Sequence, residues 1–235
     1  MPLPPFLRTD ENGQRYLLGV PFGVGAITSE EVRQRNFDPE NPALFIPRNA
    51  GLGWDLNLGA LAVRCGFIRP DDSIPDLEEY IPQSTHTALE NGPVVLTAIN
   101  TVLALSIYRH RGPVASHWGK KWRPDRFSTS TKALALPMAF SYATALWHRL
   151  ETQRENSGPT VMASANALSL QCLILGVLGA MHQSTHSPDK PAWPLLAGQV
   201  ALPLVMIGTC VGTVKSALNN LQRVLESERK NVIGS

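Results

Sequence analysis

Charge is missing from long stretches of this chain, and recognisable catalytic chemistry is missing from the rest. Only three of its 235 residues are cysteines, Cys65, Cys172 and Cys210. They are too few and too scattered for a disulfide scaffold or a zinc site. Two of them lie inside apolar runs, where a thiol acts as a small hydrophobe. No G-x-S-x-G, H-E-x-x-H, C-x-x-C or phosphate loop occurs, so neither an enzyme nor a cofactor is expected. A formal net charge of +2 is too small for nucleic-acid binding or a polybasic membrane anchor. The opening MPLPPFLRTDENGQR lacks the basic start and apolar core of a signal peptide, and none is expected. Internal repeats are absent. The length leaves room for one or two domains with a sizeable core.

What is present is a strong asymmetry. Residues 1–91 are rich in proline, glycine and charge, whereas the remainder alternates apolar runs with polar connectors. Four windows contain no Asp, Glu, Lys or Arg: Pro93–Tyr108, Ala133–Trp147, Val161–Met181 and Pro191–Val214. Soluble domains are roughly a quarter charged, and a soluble amphipathic helix carries a polar stripe. At about 1.5 Å per residue the last two windows reach roughly 30 Å, a hydrocarbon core, and the first two only about 22–24 Å. The short ones span if Thr87–Gly92 extends the first and if Lys132 and His148–Arg149 snorkel at the ends of the second. The expectation is a mainly α fold with four transmembrane helices. The alternative is a soluble helical interaction protein whose core helices are buried.

Details inside the windows fit helices packed in lipid. Gly208 and Gly212 form a GxxxG step, a candidate homo-oligomer contact, and Gly176 with Ala180 repeats the spacing. Asn100, Asn166, Gln171 and Gln199 bring amides to membrane depth, either as packing partners between helices or as the lining of a carrier path. Pro137 and Pro203 are expected to kink their helices rather than end them. Beyond the last window, Val214, Leu218, Leu221 and Leu225 recur at helical spacing. They mark an amphipathic tail for the membrane surface, a partner helix or water. The expected organisation is thus a soluble region over 1–86 with irregular and β structure, a transmembrane domain over 87–214, and a helical tail over 215–235.

The connector 109–132 holds Arg109, Arg111, Lys120, Lys121, Arg123, Arg126 and Lys132 against the single acid Asp125. The positive-inside rule puts it in the cytoplasm and the amino-terminal region outside. Export of that long region without a signal peptide argues the other way, and the balance favours a cytoplasmic amino-terminal region. Within the connector, Pro124-Asp125 reads as a turn initiator. Trp118, Trp122 and Phe127 have the character of interfacial aromatics. The neighbouring cations can meet lipid phosphate or an anionic peptide. His117, Asp125 and Arg126 are the candidate binding residues, against a structural turn held by its own ion pairs. His182 and His186, with Asp189 nearby, have metal-ligand spacing, but Ser187-Pro188 predicts that the helix has ended there. No metal is expected. The paired acids Asp71-Asp72 and Glu78-Glu79 read as solvated charge.

Residues 109–140, through Pro113, His117, Trp118, Pro124, Asp125, Lys132 and Leu136-Pro137, resemble a small domain of SdpI-like bacterial membrane proteins. In that family a helix, a histidine-tryptophan loop and a second helix follow one another. Its usual glycine before the Pro-Asp pair is Arg123 here, so the positive φ that glycine supplies is in question. A second stretch, DPENPALFIPRNAGLGWDLNLG at 38–59, resembles another short uncharacterised module of bacterial membrane proteins. The matching positions are Asp38, Pro39, Leu44, Phe45, Pro47, Arg48, Gly51, Gly53, Trp54, Leu56 and Asn57. Ala43–Ile46 reads as a strand, and Trp54, Leu56 and Leu58 alternate with Asp55 and Asn57 as a half-buried strand would. A small hairpin resting on the membrane surface satisfies this pattern. The resemblances imply a multi-pass protein of the bacterial inner membrane, partnered by the lipid bilayer. They further imply a peptide or membrane-protein partner, in immunity to a peptide toxin or in signal sensing. An oligomeric small-molecule carrier is the alternative.

Overall fold

The computed structural model describes residues 7–10, 14–24, 35–48, 50–154 and 161–233. Most of the stretch on which the signal-peptide expectation rests, residues 1–6 and 11–13, lies outside the described residues. The fold is mainly helical, with a small β-containing amino-terminal region. Chain contacts divide it into two compact units, Met1–Ile81 with Val211–Ser235 and Pro82–Cys210.

The first unit opens with strands β1 (Leu7–Thr9), β2 (Arg15–Leu17) and β3 (Val20–Val24). They are followed by β4 (Phe45–Pro47), β5 (Ala50–Leu52) and β6 (Trp54–Leu56). An antiparallel sheet runs β1-β2-β3-β5, while β4 and β6 pair separately with Phe45 opposite Leu56 and Pro47 opposite Trp54. Helices α1 (Leu58–Arg64) and α2 (Ile74–Leu77) follow.

Asn57 organises this unit. Wholly buried, it accepts hydrogen bonds from the amides of Asp38, Gly59 and Ala60 and donates to the carbonyls of Asp38 and Asn41. It therefore caps α1 and clamps the preceding loop with one side chain, using both faces of its amide. Gly59 lets the loop come close: a Cβ there would lie 2.6 Å from the Asp38 carbonyl carbon. The expected hairpin is present, but its faces are reversed. Trp54 and Leu56 point outward and Asn57 inward, because the cap buries Asn57 and Leu58 already belongs to α1.

The carboxy-terminal segment belongs to this unit too. Val214 and Ala217 are buried, and the Asn220 side chain donates to the Tyr80 carbonyl at 3.0 Å. The first turns of the expected tail group with the amino-terminal region, and residues 222–232 are all exposed.

The second unit is a helical bundle of α3 (Gln83–Tyr108), α4 (Ser130–Arg154), α5 (Val161–His186) and the beginning of α6 (Trp193–Ile233). Strands β7 (Val114–Trp118) and β8 (Pro124–Ser128) form an antiparallel hairpin between α3 and α4. Helix α3 starts at Gln83, so the short first window gains the turns it needed. Pro93, Pro137 and Pro203 sit inside helices that continue through them.

Three features hold the bundle. An apolar core joins Ala104 and Ile107 of α3, Val114 of β7, Ala133 and Leu134 of α4, and Ile174, Leu178 and Met181 of α5. A buried polar lock ties three helices: Asn100 donates to Gln171 Oε1 at 2.8 Å, and Ser141 donates to the same oxygen at 2.7 Å. The Gln171 amide nitrogen returns a bond to the Ser141 carbonyl at 2.8 Å. Finally, α5 and α6 nearly touch, since a Cβ on Gly176 would lie 2.6 Å from the Gly198 Cα. The partner of Gly176 is therefore Gly198, whereas a Cβ on Gly208 or Gly212 would meet nothing within 4 Å among the described residues.

One expectation at the end of α4 changes. His148 does not snorkel; it is buried and its Nε2 lies 3.0 Å from Ser164 Oγ, so it turns into the bundle. Arg149 is exposed, 2.8 Å from Glu90 of α3.

Candidate functional site: the hairpin cleft

The sequence's densest cationic and aromatic segment folds as the β7–β8 hairpin rather than as an irregular loop. Pro124 and Asp125 begin a strand instead of initiating the turn, which lies just before them. The Gly119 amide donates to the Arg123 carbonyl and the Trp122 amide to the Gly119 carbonyl, both at 2.9 Å. A three-residue hairpin loop of this type ends in a left-handed residue, a place favouring glycine. Trp122 holds it, with φ of 59°. The positive φ questioned at Arg123 is thus supplied one residue earlier. The Trp122 carbonyl accepts from the Ala192 amide at 2.7 Å, which fixes the turn against the segment leading into α6.

Pairing across the hairpin brings His117 and Asp125 together. His117 Nδ1 lies 2.6 Å from Asp125 Oδ1, on exposed side chains. A carboxylate only accepts, so Nδ1 carries the proton and donates, leaving Nε2 available. The pair lines an open cleft of about 720 Å³ with Ser116, Trp118, Lys120 and Trp122, and with Leu195 and Gln199 of α6. The strand carrying this site is anchored in the bundle: Val114 and Ala115 are fully buried, and the Ala115 amide donates to Ser184 Oγ at 3.2 Å. Trp118 packs partly on the core, and its buried indole nitrogen has no hydrogen-bond partner among the described residues.

Of the sequence's candidates, the fold gathers His117, Trp118 and Asp125 into one cleft. Pro124, Arg126 and Lys132 stand outside its lining, Arg126 and Lys132 exposed. Lys120 was visible only as one of several cations. Leu195 and Gln199 could not be found from the motif, because they lie more than sixty residues further along. Gln199 faces the cleft while Asn100 and Gln171 bond to each other, so the three amides do not share one cavity. In the amino-terminal module, Phe45, Pro47, Gly53 and Trp54 belong to the strands and turn around Asn57, and Arg48 Nε is 2.8 Å from Asp55 Oδ1.

Helix α5 continues through His186, further than Ser187-Pro188 predicted. His182 and His186 lie with ring centroids 5.0 Å apart and planes tilted by 54°, but among the described residues no group of three His, Cys, Asp or Glu could hold a metal.

The class follows from the helices. Gln83–Tyr108, Val161–His186 and Trp193–Val232 are long and apolar enough to cross a membrane, the mark of a membrane protein. Among known families, residues 39–64 match a family of unknown function, DUF5808; this is the stretch built around Asn57 and α1. No curated protein and no solved structure matches the chain.

Proposed function

We propose that this is a multi-pass protein of the bacterial inner membrane, with α4 as a fourth span, whose hairpin cleft binds an amphipathic anionic peptide in toxin immunity or signal sensing. The resemblance of residues 109–140 to SdpI-like proteins supplies the biological direction. The observation that carries the reading is the His117–Asp125 pair, which lines one cleft together with Lys120, Trp118 and Trp122. Lys120, a cation set among aromatic walls, suits a carboxylate attached to an apolar chain, while Nε2 of the Nδ1-protonated ring can accept from a peptide N–H. Support for a fourth span comes from Leu136, Phe140, Leu146, Trp147 and Leu150 of α4, large apolar side chains left exposed on a helix of 25 residues. No catalysis is proposed, because Ser116, the hydroxyl beside the pair, donates to the Arg126 carbonyl at 3.4 Å. The open faces of Gly208 and Gly212 favour self-association in the membrane.

Loss of binding in His117→Ala and Asp125→Asn, with membrane insertion and a wild-type-like Arg126→Ala, is the expected outcome. Fluorescence titration of the reconstituted protein with a synthetic amphipathic peptide, free or amidated at its carboxyl end, measures it. Unchanged binding in both cleft variants sinks the proposal. Alkaline carbonate extraction should leave the chain in the membrane fraction, and its release would defeat the membrane reading.

A further inference from the structure

We infer that the outer face of the β4–β6 hairpin is a docking surface for the bilayer interface, holding the amino-terminal module against lipid. The inference rests on the membrane reading above but not on the cleft or its ligand.

The register fixes the face. Phe45 pairs with Leu56 and Pro47 with Trp54, so these four side chains lie on one side of the ribbon, and Ile46 and Asp55 on the other. Ile46 is only 5% exposed, whereas Phe45 is 66%, Trp54 48% and Leu56 39% exposed. The hairpin is inverted relative to a water-facing ribbon: its polar Asp55 lies on the buried side and its outer side chains are all apolar. In water such an arrangement exposes the residues that gain most from burial.

Size decides what covers it. With aromatic side chains presenting 150–250 Å², these exposures sum to roughly 300 Å². A stable protein partner or second copy needs about 800 Å² on each side. A bilayer needs far less, because on the membrane reading the module is tied by the chain to spanning helices. The chain runs directly from it into α3 at Pro82 and back into it from α6 at Val211. Two covalent links to spanning helices remove most of the cost of association. The composition suits the interface as well: an indole and a phenyl ring, no charge on the face, and an exposed arginine, Arg48, at its edge.

The full chain tests this, with Cys65, Cys172 and Cys210 replaced by serine or alanine and a single nitroxide-labelled cysteine introduced. Labels replace Phe45, Val102 on the exposed side of α3, or Glu40 as the water reference. Reconstitution is into phosphatidylethanolamine–phosphatidylglycerol vesicles, and collision with oxygen is compared with collision with a water-soluble nickel chelate. The Phe45 label should favour oxygen, as the Val102 label does, and Trp54→Ser should reduce that preference several-fold without changing helical ellipticity. A Phe45 label matching Glu40 while Val102 reads lipid overturns the docking surface and leaves the membrane reading standing. If Val102 also reads water, both fail. A Phe45 label shielded from both reagents means protein covers the face, and overturns the inference. Dilution with unlabelled chain then tells a second copy from another segment of the same chain.

Discussion

Asn57 and Trp122 show how much rests on single side chains. Asn57 makes five hydrogen bonds from a fully buried position, so Asn57→Ala strands the buried Gly59 and Ala60 amides and unties three part-buried loop groups. Each such buried group costs about 1–3 kcal/mol, and the variant should lose roughly 3 kcal/mol or more. Denaturant unfolding in detergent, followed through loss of structure around the module, measures it. Trp122 works in the opposite sense. Its left-handed backbone costs about 1–2 kcal/mol relative to glycine. Trp122→Gly should therefore relieve strain while removing one wall of the cleft. Stability held or slightly raised, together with weaker peptide binding, is the expected pair of results. Equal loss of both would mean that the indole serves packing alone.

At the scale of elements, helix contacts separate two kinds of glycine. Gly198→Leu must push α5 and α6 apart, since the Gly176 Cα and the Leu173 carbonyl already lie within 3.2 Å of where its Cβ would be. Overpacking of this kind costs about 1–3 kcal/mol, and a lowered melting temperature in detergent is expected. Gly208→Leu meets open space and should leave the melting temperature unchanged while weakening self-association, as crosslinking in membranes would record. The long helices were readable from the sequence because exclusion of charge over fifteen or more residues has few other causes. Their partners were not. Gly176 and Ala180 announced a close approach of two helices, but that Gly176 meets Gly198 depends on how the helices cross. The β7–β8 strands were hidden for a local reason: a tryptophan fills the turn position where glycine would have announced a hairpin. Alternation in the amino-terminal hairpin was visible, but not which side faced inward. Asn57, a polar residue, took the buried place that hydrophobicity alone would have given to Trp54.

For the whole molecule, cysteine chemistry reads out both order and orientation. Cys65 is exposed and Cys210 fully buried, so a maleimide should modify Cys65 in the native protein and Cys210 only after denaturation. A membrane-impermeant maleimide should reach Cys65 only once cells are permeabilised, the result expected of a cytoplasmic amino-terminal region. Labelling of intact cells would reverse that orientation. The hydrogen bond from Ala192 to Trp122 has a consequence for how the protein is made. Ribosomes deliver the hairpin well before the segment that completes its cleft, and Leu195 and Gln199 arrive only with α6. A nascent chain therefore carries the histidine–aspartate pair before its cleft is complete. On the proposed function, peptide binding needs α6 in place, so a chain stalled before α6 should not bind the peptide.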